Sequence, residues 1–182
     1  MQGSLRKGRS GSDCDDCDGT PRFRGQVHQR AALGGGLSTL RITQAVFEAV
    51  RAHGEATYPD ECCGALIGEM IADGWRVTGA IRAENTRSDS AHNRYEIAPL
   101  ELVQIGSEAR KQGLEIAGFY HSHPDHPAEW SGTDFAEAHW LGYFYVITEV
   151  SKGRAAVTKA FLLAGRTEEK KQFVNEPILI ED

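Results

Sequence analysis

Histidine and carboxylate side chains with metal-ligating potential are concentrated between residues 120 and 134. His121 and His123 flank one serine at the end of an apolar run that begins at Leu114. If that run is a strand, alternation places both imidazoles on one face, with Ser122 on the other. Asp134 falls in the first turn of a predicted helix, and the intervening chain is long enough to fold back. Two histidines, one carboxylate and an open fourth position are typical of a catalytic rather than a structural zinc site.

Each part of this pattern also has a plainer interpretation. The segment Ser131-Gly-Thr-Asp134 is a capping box that begins many helices. A single His-x-His is often incidental, and we interpret the nearby His126 and His139 as surface residues. The combination, and not any one part, favours a metal site.

Hydrolysis at such a site also needs a carboxylate that takes a proton from water and returns it to the leaving group. The residues alone leave three candidates open, which are Glu61, Asp60 and Glu69. An isolated glutamate before a strand is more often a solvated charge.

The four cysteines form two close pairs, Cys14/Cys17 and Cys62/Cys63, which is too sparse for a disulfide framework and indicates reduced thiols. Cys62 or Cys63 as a nucleophile is an alternative hypothesis. A cysteine that enters a buried strand is, however, typically a small core residue. Cys14 and Cys17 have the spacing of a metal knuckle but lack a second pair.

Periodicity and turn residues predict the elements that would position these groups. Helices are predicted over 42–54, with Thr43 as N-cap, over 99–112, and over 132–140. Strands are predicted over 64–69, 75–83, 114–122, 143–150 and 155–163, the first two as a hairpin. This alternation of strands and helices along the chain predicts an α/β fold, a single-domain sandwich of helices around a mixed β-sheet.

Composition sets the boundaries of the fold and excludes some partners. Residues 1–38, rich in Gly, Ser, Asp and Arg, are predicted to be a disordered tail before a domain at 39–182. The net charge of −6 argues against nucleic acid and anionic membranes as partners. No apolar stretch approaches the roughly 20 residues of a membrane span, and the basic start leads into no signal-like apolar run, so we expect a cytoplasmic protein.

Two separated motifs resemble those of the JAMM, or MPN-plus, metalloprotease family. One is His121-x-His123-Pro124 followed by Ser131-x-x-Asp134, and the other is Glu61-Cys-Cys-Gly64-Ala-Leu-Ile-Gly68. The resemblance covers residues 39 to 165 and is closest to the small stand-alone prokaryotic members. It implies an MPN-like, cytidine-deaminase-like architecture and one Zn²⁺ per chain on His121, His123 and Asp134. It also implies that Glu61 is the base and that Ser131 stabilises the oxyanion.

The same resemblance implies a function. Members hydrolyse the amide bond after the carboxy-terminal Gly-Gly of ubiquitin-like proteins, and the small prokaryotic ones act on sulfur-carrier proteins of that type. A non-catalytic MPN scaffold is the alternative, although such scaffolds lack the ligand set. DNA-repair relatives follow the histidines with a different loop. The long insertion of specialised deubiquitinases is absent after Asp134, which leaves the loop Asn85–Arg94 as a possible substrate flap or a plain surface loop.

Overall fold

The computed structural model describes residues 39–87 and 90–182. Three α-helices alternate with eight strands along this part of the chain. The helices are α1 (Gln44–Thr57), α2 (Pro99–Lys111) and α3 (Gly132–Glu137). The strands are β1 (Thr39–Thr43), β2 (Cys63–Ile71), β3 (Gly74–Ala83), β4 (Glu115–Pro124), β5 (Phe144–Ser151), β6 (Arg154–Ala164), β7 (Gln172–Glu176) and β8 (Ile178–Glu181). The predicted tail at 1–38, with Cys14 and Cys17, lies outside the described residues.

All eight strands form one mixed sheet in the order β7-β6-β5-β4-β2-β3-β1-β8. Strand β1 runs parallel to β3 and β8, and β4 runs parallel to β5. The other neighbours are antiparallel, including the β2–β3 hairpin around Gly74. The predicted α/β class with a mixed sheet is therefore confirmed.

The two longer helices pack on opposite faces of this sheet. Val46 and Val50 of α1 share a core with Tyr120, whereas Ile105 of α2 shares a second core with Phe119. Because Phe119 and Tyr120 are neighbours on β4, they point to opposite faces. From Phe119 to His123, the odd-numbered residues of β4 therefore face the α2 side.

Tyr120 links β4 to both β2 and α1. Its ring lies across Gly64, where a Cβ atom would stand 2.5 Å from the ring. Its hydroxyl lies 2.9 Å from Nδ1 of His53 in α1. A side chain at position 64 would displace this ring, so glycine is required there.

The predicted elements differ from the structure mainly at their ends. Thr43 is confirmed as the N-cap, accepting a hydrogen bond from the Val46 amide, but Ile42 belongs to β1 because Leu40 and Ile42 alternate into the core. Helix α3 ends at Glu137, short of the predicted residue 140, because the backbone of Ala138 is extended, and Lys171 donates to the carbonyl oxygens of Ala136 and Ala138. No strand was predicted over the ranges of β1, β7 and β8.

Among residues 39–87 and 90–182, no helix combines the length and the apolar character needed to cross a membrane.

Candidate metal centre

The ends of β2 and β4 bring the predicted ligands to one face of the sheet. Cys63 pairs with His121, and the Ser122 amide donates to the Cys62 carbonyl at 3.2 Å. His121 and His123 project towards the α2 side and are 1% and 8% exposed. Ser122 points the other way, and its hydroxyl accepts a hydrogen bond from the Cys62 amide at 2.9 Å. The alternation predicted from sequence thus holds.

Helix α3 carries the third predicted ligand beside the two imidazoles. Ser131 is its N-cap, and the full capping box is formed. The Asp134 amide donates to Oγ of Ser131 at 3.1 Å, and the Ser131 amide donates to Oδ2 of Asp134 at 2.6 Å. Because Oγ acts as an acceptor in this cap, the hydroxyl proton of the exposed Ser131 stays available to another partner.

The distances within this cluster suit one zinc ion. The two Nε2 atoms of His121 and His123 are 3.0 Å apart. Asp134 places Oδ1 3.4 Å from Nε2 of His121 and Oδ2 3.5 Å from Nε2 of His123. Two ligands at zinc-bonding length and a tetrahedral angle are about 3.3 Å apart. The converging donor atoms, all within 4.8 Å of one another, therefore fit the ion.

The two imidazoles are supported in different ways. Nδ1 of His123 lies 2.9 Å from the Pro127 carbonyl, which requires a proton on Nδ1 and leaves the Nε2 lone pair facing the cluster. Among the described residues, none is within hydrogen-bond distance of the buried Nδ1 of His121. Instead, the ring of Tyr95 stacks on the His121 ring, with centroids 4.6 Å apart and planes inclined by 27°.

The ionisable groups of the cluster shift one another's pKa values. Burial opposes ionisation of Asp134, but its contacts with His121 and His123 outweigh this and hold the pKa of the carboxyl well below its usual value. Burial lowers the pKa of His121, although Asp134 opposes that shift. Burial also favours neutral His123, but Asp134 and the Pro127 carbonyl prevail and raise its pKa. The site thus presents a carboxylate between two imidazoles, a donor set suited to a divalent cation.

Glu61 is the buried member of the three candidate bases. It is 4% exposed, and burial raises its pKa to about 8, with Asp134 adding to the shift and His123 opposing it. Its Oε2 has no hydrogen-bond partner among the described residues. Asp60 is exposed, and Glu69 pairs with Arg76 near the far end of β2. Glu61 is thus buried and interacts electrostatically with two of the proposed ligands, Asp134 and His123.

The other reactive residues lie outside the cluster. Both cysteines before Gly64 are buried, and burial raises the pKa of Cys62 to about 11 and that of Cys63 to about 12. A thiol nucleophile requires the thiolate, which these surroundings disfavour. His126 is exposed, and His139 is exposed beside Glu168.

Two features of the site were not found from sequence. Tyr95 follows directly after the predicted loop Asn85–Arg94, and its aromatic character in a polar segment was the only available signal. The second feature is that this loop hydrogen bonds to both the amide and the carbonyl of Glu61. The Glu61 amide donates to the Ala91 carbonyl at 2.7 Å, and the Asn85 side chain donates to the Glu61 carbonyl at 3.3 Å.

Comparisons with known proteins agree with this geometry. The profile of prokaryotic homologs of the JAB domain matches residues 43–163. A desampylase of Haloferax volcanii is 38% identical over 89 residues, which are 49% of this chain and 62% of that protein. The chain thus matches about three fifths of the length of this curated relative.

Two solved structures also resemble the chain. The solution structure of a Salinibacter ruber protein is 38% identical with a TM-score of 0.62, covering 79% of this chain and 92% of that one. The solution structure of protein DSY2949 from Desulfitobacterium hafniense is 26% identical with a TM-score of 0.67, covering 79% and 93%. The profile matches more than half of the chain and includes both motifs that resemble the JAMM metalloproteases. The chain therefore belongs to the family of prokaryotic homologs of the JAB domain.

Proposed function

We propose that this protein is a zinc-dependent peptidase or isopeptidase that hydrolyses the amide bond after the carboxy-terminal Gly-Gly of a ubiquitin-like protein of the sulfur-carrier type. One observation carries the proposal. The three converging ligand atoms of His121, His123 and Asp134 lie beside a buried carboxylate, Glu61, that interacts with their charges. A ligand set with a neighbouring general base is the arrangement that amide hydrolysis needs.

Each of the site's side chains has a separate role in the proposed reaction. A zinc ion held by the three ligands would lower the pKa of water to about 7, polarise a carbonyl group and favour the ionised form of Glu61. Glu61 accepts the proton of the attacking water and returns it to the leaving amine. Ser131, at the exposed start of α3, donates its hydroxyl proton to the oxyanion that develops on the substrate carbonyl.

The proposed substrate class, ubiquitin-like proteins, is inferred from a named relative. A named desampylase among them supports an activity on ubiquitin-like proteins. Strand β5 begins at Phe144, ten residues after Asp134, so this part of the chain carries no long insertion. A diglycine tail is slim and suits an approach beside the buried histidines. The leaving group is left open by these features.

The proposal is tested with purified protein and carriers that end in Gly-Gly followed by cysteine, a short peptide, or a lysine-linked protein. We expect one zinc per chain by elemental analysis and release of the carrier with a free diglycine end by mass spectrometry. His123→Ala removes one of the three ligands, so zinc content and turnover should fall together. Failure of the parent protein to hold zinc and to cleave any carrier would contradict the proposal and favour a scaffold.

A further inference from the structure

The two histidines of the cluster are both buried, but hydrogen bonds orient them differently. His123 is fixed through Nδ1 by the Pro127 carbonyl. His121 is 1% exposed, and its Nδ1 atom has no partner among the described residues. Ligating histidines ordinarily donate the second ring N–H to a carbonyl or carboxylate, which fixes the ring plane and the direction of the ligating lone pair. No described residue therefore fixes the His121 ring through Nδ1.

Tyr95 contacts the same ring through its aromatic face. Its ring stacks on the His121 imidazole with a centroid separation of 4.6 Å and an interplanar angle of 27°. A near-parallel stack resists rotation of the imidazole about its χ2 axis, because rotation would drive the ring edge into the aromatic face.

One side chain holds the backbone on both sides of Tyr95. The carboxamide of Asn85 donates to the Arg94 carbonyl at 2.9 Å and accepts from the Glu96 amide at 3.2 Å. The Glu96 carbonyl in turn accepts hydrogen bonds from the amide and the hydroxyl of Thr86, each at 3.0 Å. The backbone on each side of Tyr95 is thus held by hydrogen bonds to Asn85 and Thr86.

The same carboxamide reaches the proposed base. Nδ2 of Asn85 also donates to the Glu61 carbonyl at 3.3 Å, so this one residue contacts the backbone that carries Glu61 and the backbone that carries Tyr95. The loop from Asn85 onwards is therefore attached to the site at two points, through Tyr95 and through Glu61.

We propose that Tyr95 is a positioning residue that holds the His121 imidazole, by stacking, in the orientation from which Nε2 binds the metal. The stack takes the place of the hydrogen bond that His123 has and His121 lacks. This inference rests on the metal assignment in the proposed function and adds a residue outside the ligand set.

The test compares three substitutions at Tyr95 with a matched control. Tyr95→Leu and Tyr95→Met remove the aromatic face, with methionine as the more adaptable filler, and Tyr95→Phe keeps the face but removes the hydroxyl. Tyr143→Leu is the control, because Tyr143 makes a similar stack, 6.1 Å and 20°, on Phe119 and not on a ligand. Zinc affinity is measured by competition with a chromogenic chelator, and ligand geometry by the visible spectrum of the cobalt-substituted protein.

We expect Tyr95→Leu and Tyr95→Met to bind zinc about 10- to 100-fold more weakly than the parent, the usual effect of removing a residue that orients a ligand. Their cobalt spectra should shift or broaden as the site becomes less uniform. Tyr95→Phe should bind within about threefold of the parent, since its aromatic face is retained. Tyr143→Leu should lose thermal stability while keeping the affinity and the spectrum of the parent.

Several results would overturn the inference. Parental zinc affinity and cobalt spectrum in a folded Tyr95→Leu or Tyr95→Met protein would show that the stack does not orient His121. Equal losses in the phenylalanine and leucine variants would assign the effect to the hydroxyl. A parent protein that binds no zinc would overturn the proposed function as well, whereas the first two results leave that function standing.

Discussion

Glu61 differs from the other candidate carboxylates by its burial and by what surrounds it. The side chain is 4% exposed and interacts with the charges of His123 and Asp134. Its amide and its carbonyl are both hydrogen bonded to the loop from Asn85 to Ala91. The backbone is thus fixed while Oε2 has no partner among the described residues, an arrangement suited to a group that exchanges a proton.

Substitution Glu61→Gln tests the role of this carboxylate. Glutamine keeps the shape and the hydrogen-bonding reach but cannot accept the proton of water. Zinc should stay near one per chain, while single-turnover cleavage should fall by roughly 10²- to 10⁴-fold, the usual contribution of general acid–base catalysis. Zinc content and rate are measured on the same preparation.

The matched control for this experiment is Glu69→Gln, in the strand that follows Glu61 but paired with Arg76 at 3.4 Å. It should leave cleavage unchanged, because an exposed ion pair contributes little. Loss of zinc from Glu61→Gln would make Glu61 a ligand, and a normal rate would mean that another group is the base.

Ser131 combines a structural role with a proposed catalytic one, and the two are separable. Ser131→Ala removes the N-cap acceptor and should lower the free energy of unfolding by about 1 kcal/mol. If the hydroxyl also stabilises the oxyanion, turnover should fall by roughly 10²-fold with zinc retained. Ser131→Thr keeps the hydroxyl and should preserve both quantities. Unchanged turnover in the alanine variant would leave capping as the sole role.

At the residue scale, the sequence indicated the positions of the proposed ligands better than the contacts that support them. Alternation along a strand is a local property, so His121 and His123 could be placed on one face from their spacing. The capping box likewise placed Asp134 in a first turn. Tyr95 contacts His121, and the Pro127 carbonyl contacts His123, only once loops have folded against strand β4. Contacts of this kind leave no recognisable pattern in the local sequence.

At the scale of elements, α1 and β4 are joined by the hydrogen bond between His53 and Tyr120. Burial, and then the charge of Arg82, lowers the pKa of His53 to about 4. The usual pKa of histidine is about 6.5, so between these values the folded chain binds fewer protons than the unfolded chain. The contribution to stability is complete above pH 6.5 and is lost as the pH falls towards 4.

Substitution His53→Gln should therefore flatten the dependence of stability on pH. Glutamine can still hydrogen bond to Tyr120 but has no proton to gain. Between pH 7 and pH 4.5 the parent should lose about 1 kcal/mol more unfolding free energy than the variant, a figure discounted for the part of the ring that water reaches. Denaturant unfolding at both pH values measures the difference. Identical pH profiles would contradict the assignment.

The elements that the sequence missed are those that depend on distant partners. Strands β7 and β8 are five and four residues long and are separated by Pro177. Strand β8 pairs with β1, whose residues precede it by more than a hundred positions. By contrast, the β2–β3 hairpin was predicted because Asp73-Gly74 marks its turn locally, with Gly74 at a φ of 153°.

At the scale of the whole molecule, the described fold begins with β1 at Thr39. Residues 1–38 are poor in apolar side chains and rich in Gly, Ser, Asp and Arg, so we predict that they are dispensable. A chain that begins at Leu37 should keep its unfolding free energy within about 0.5 kcal/mol, the range of changes that touch no core contact. Its cleavage rate should also be retained. A large loss of either would show that these residues contact the domain.

The position of the ligand strand in the sheet determines how a metal ion would leave. Strand β4 lies between β2 and β5 inside an eight-stranded sheet, whereas Asp134 sits on a six-residue helix with no fully buried residue. Local opening is easiest where few contacts hold an element, so the carboxylate should detach long before the histidines do. Deuterium exchange should then be slowest in β4, and added zinc should protect α3 most. The residence time of the ion would therefore be set by how often this helix opens locally, while the histidines on the core strand stay in place.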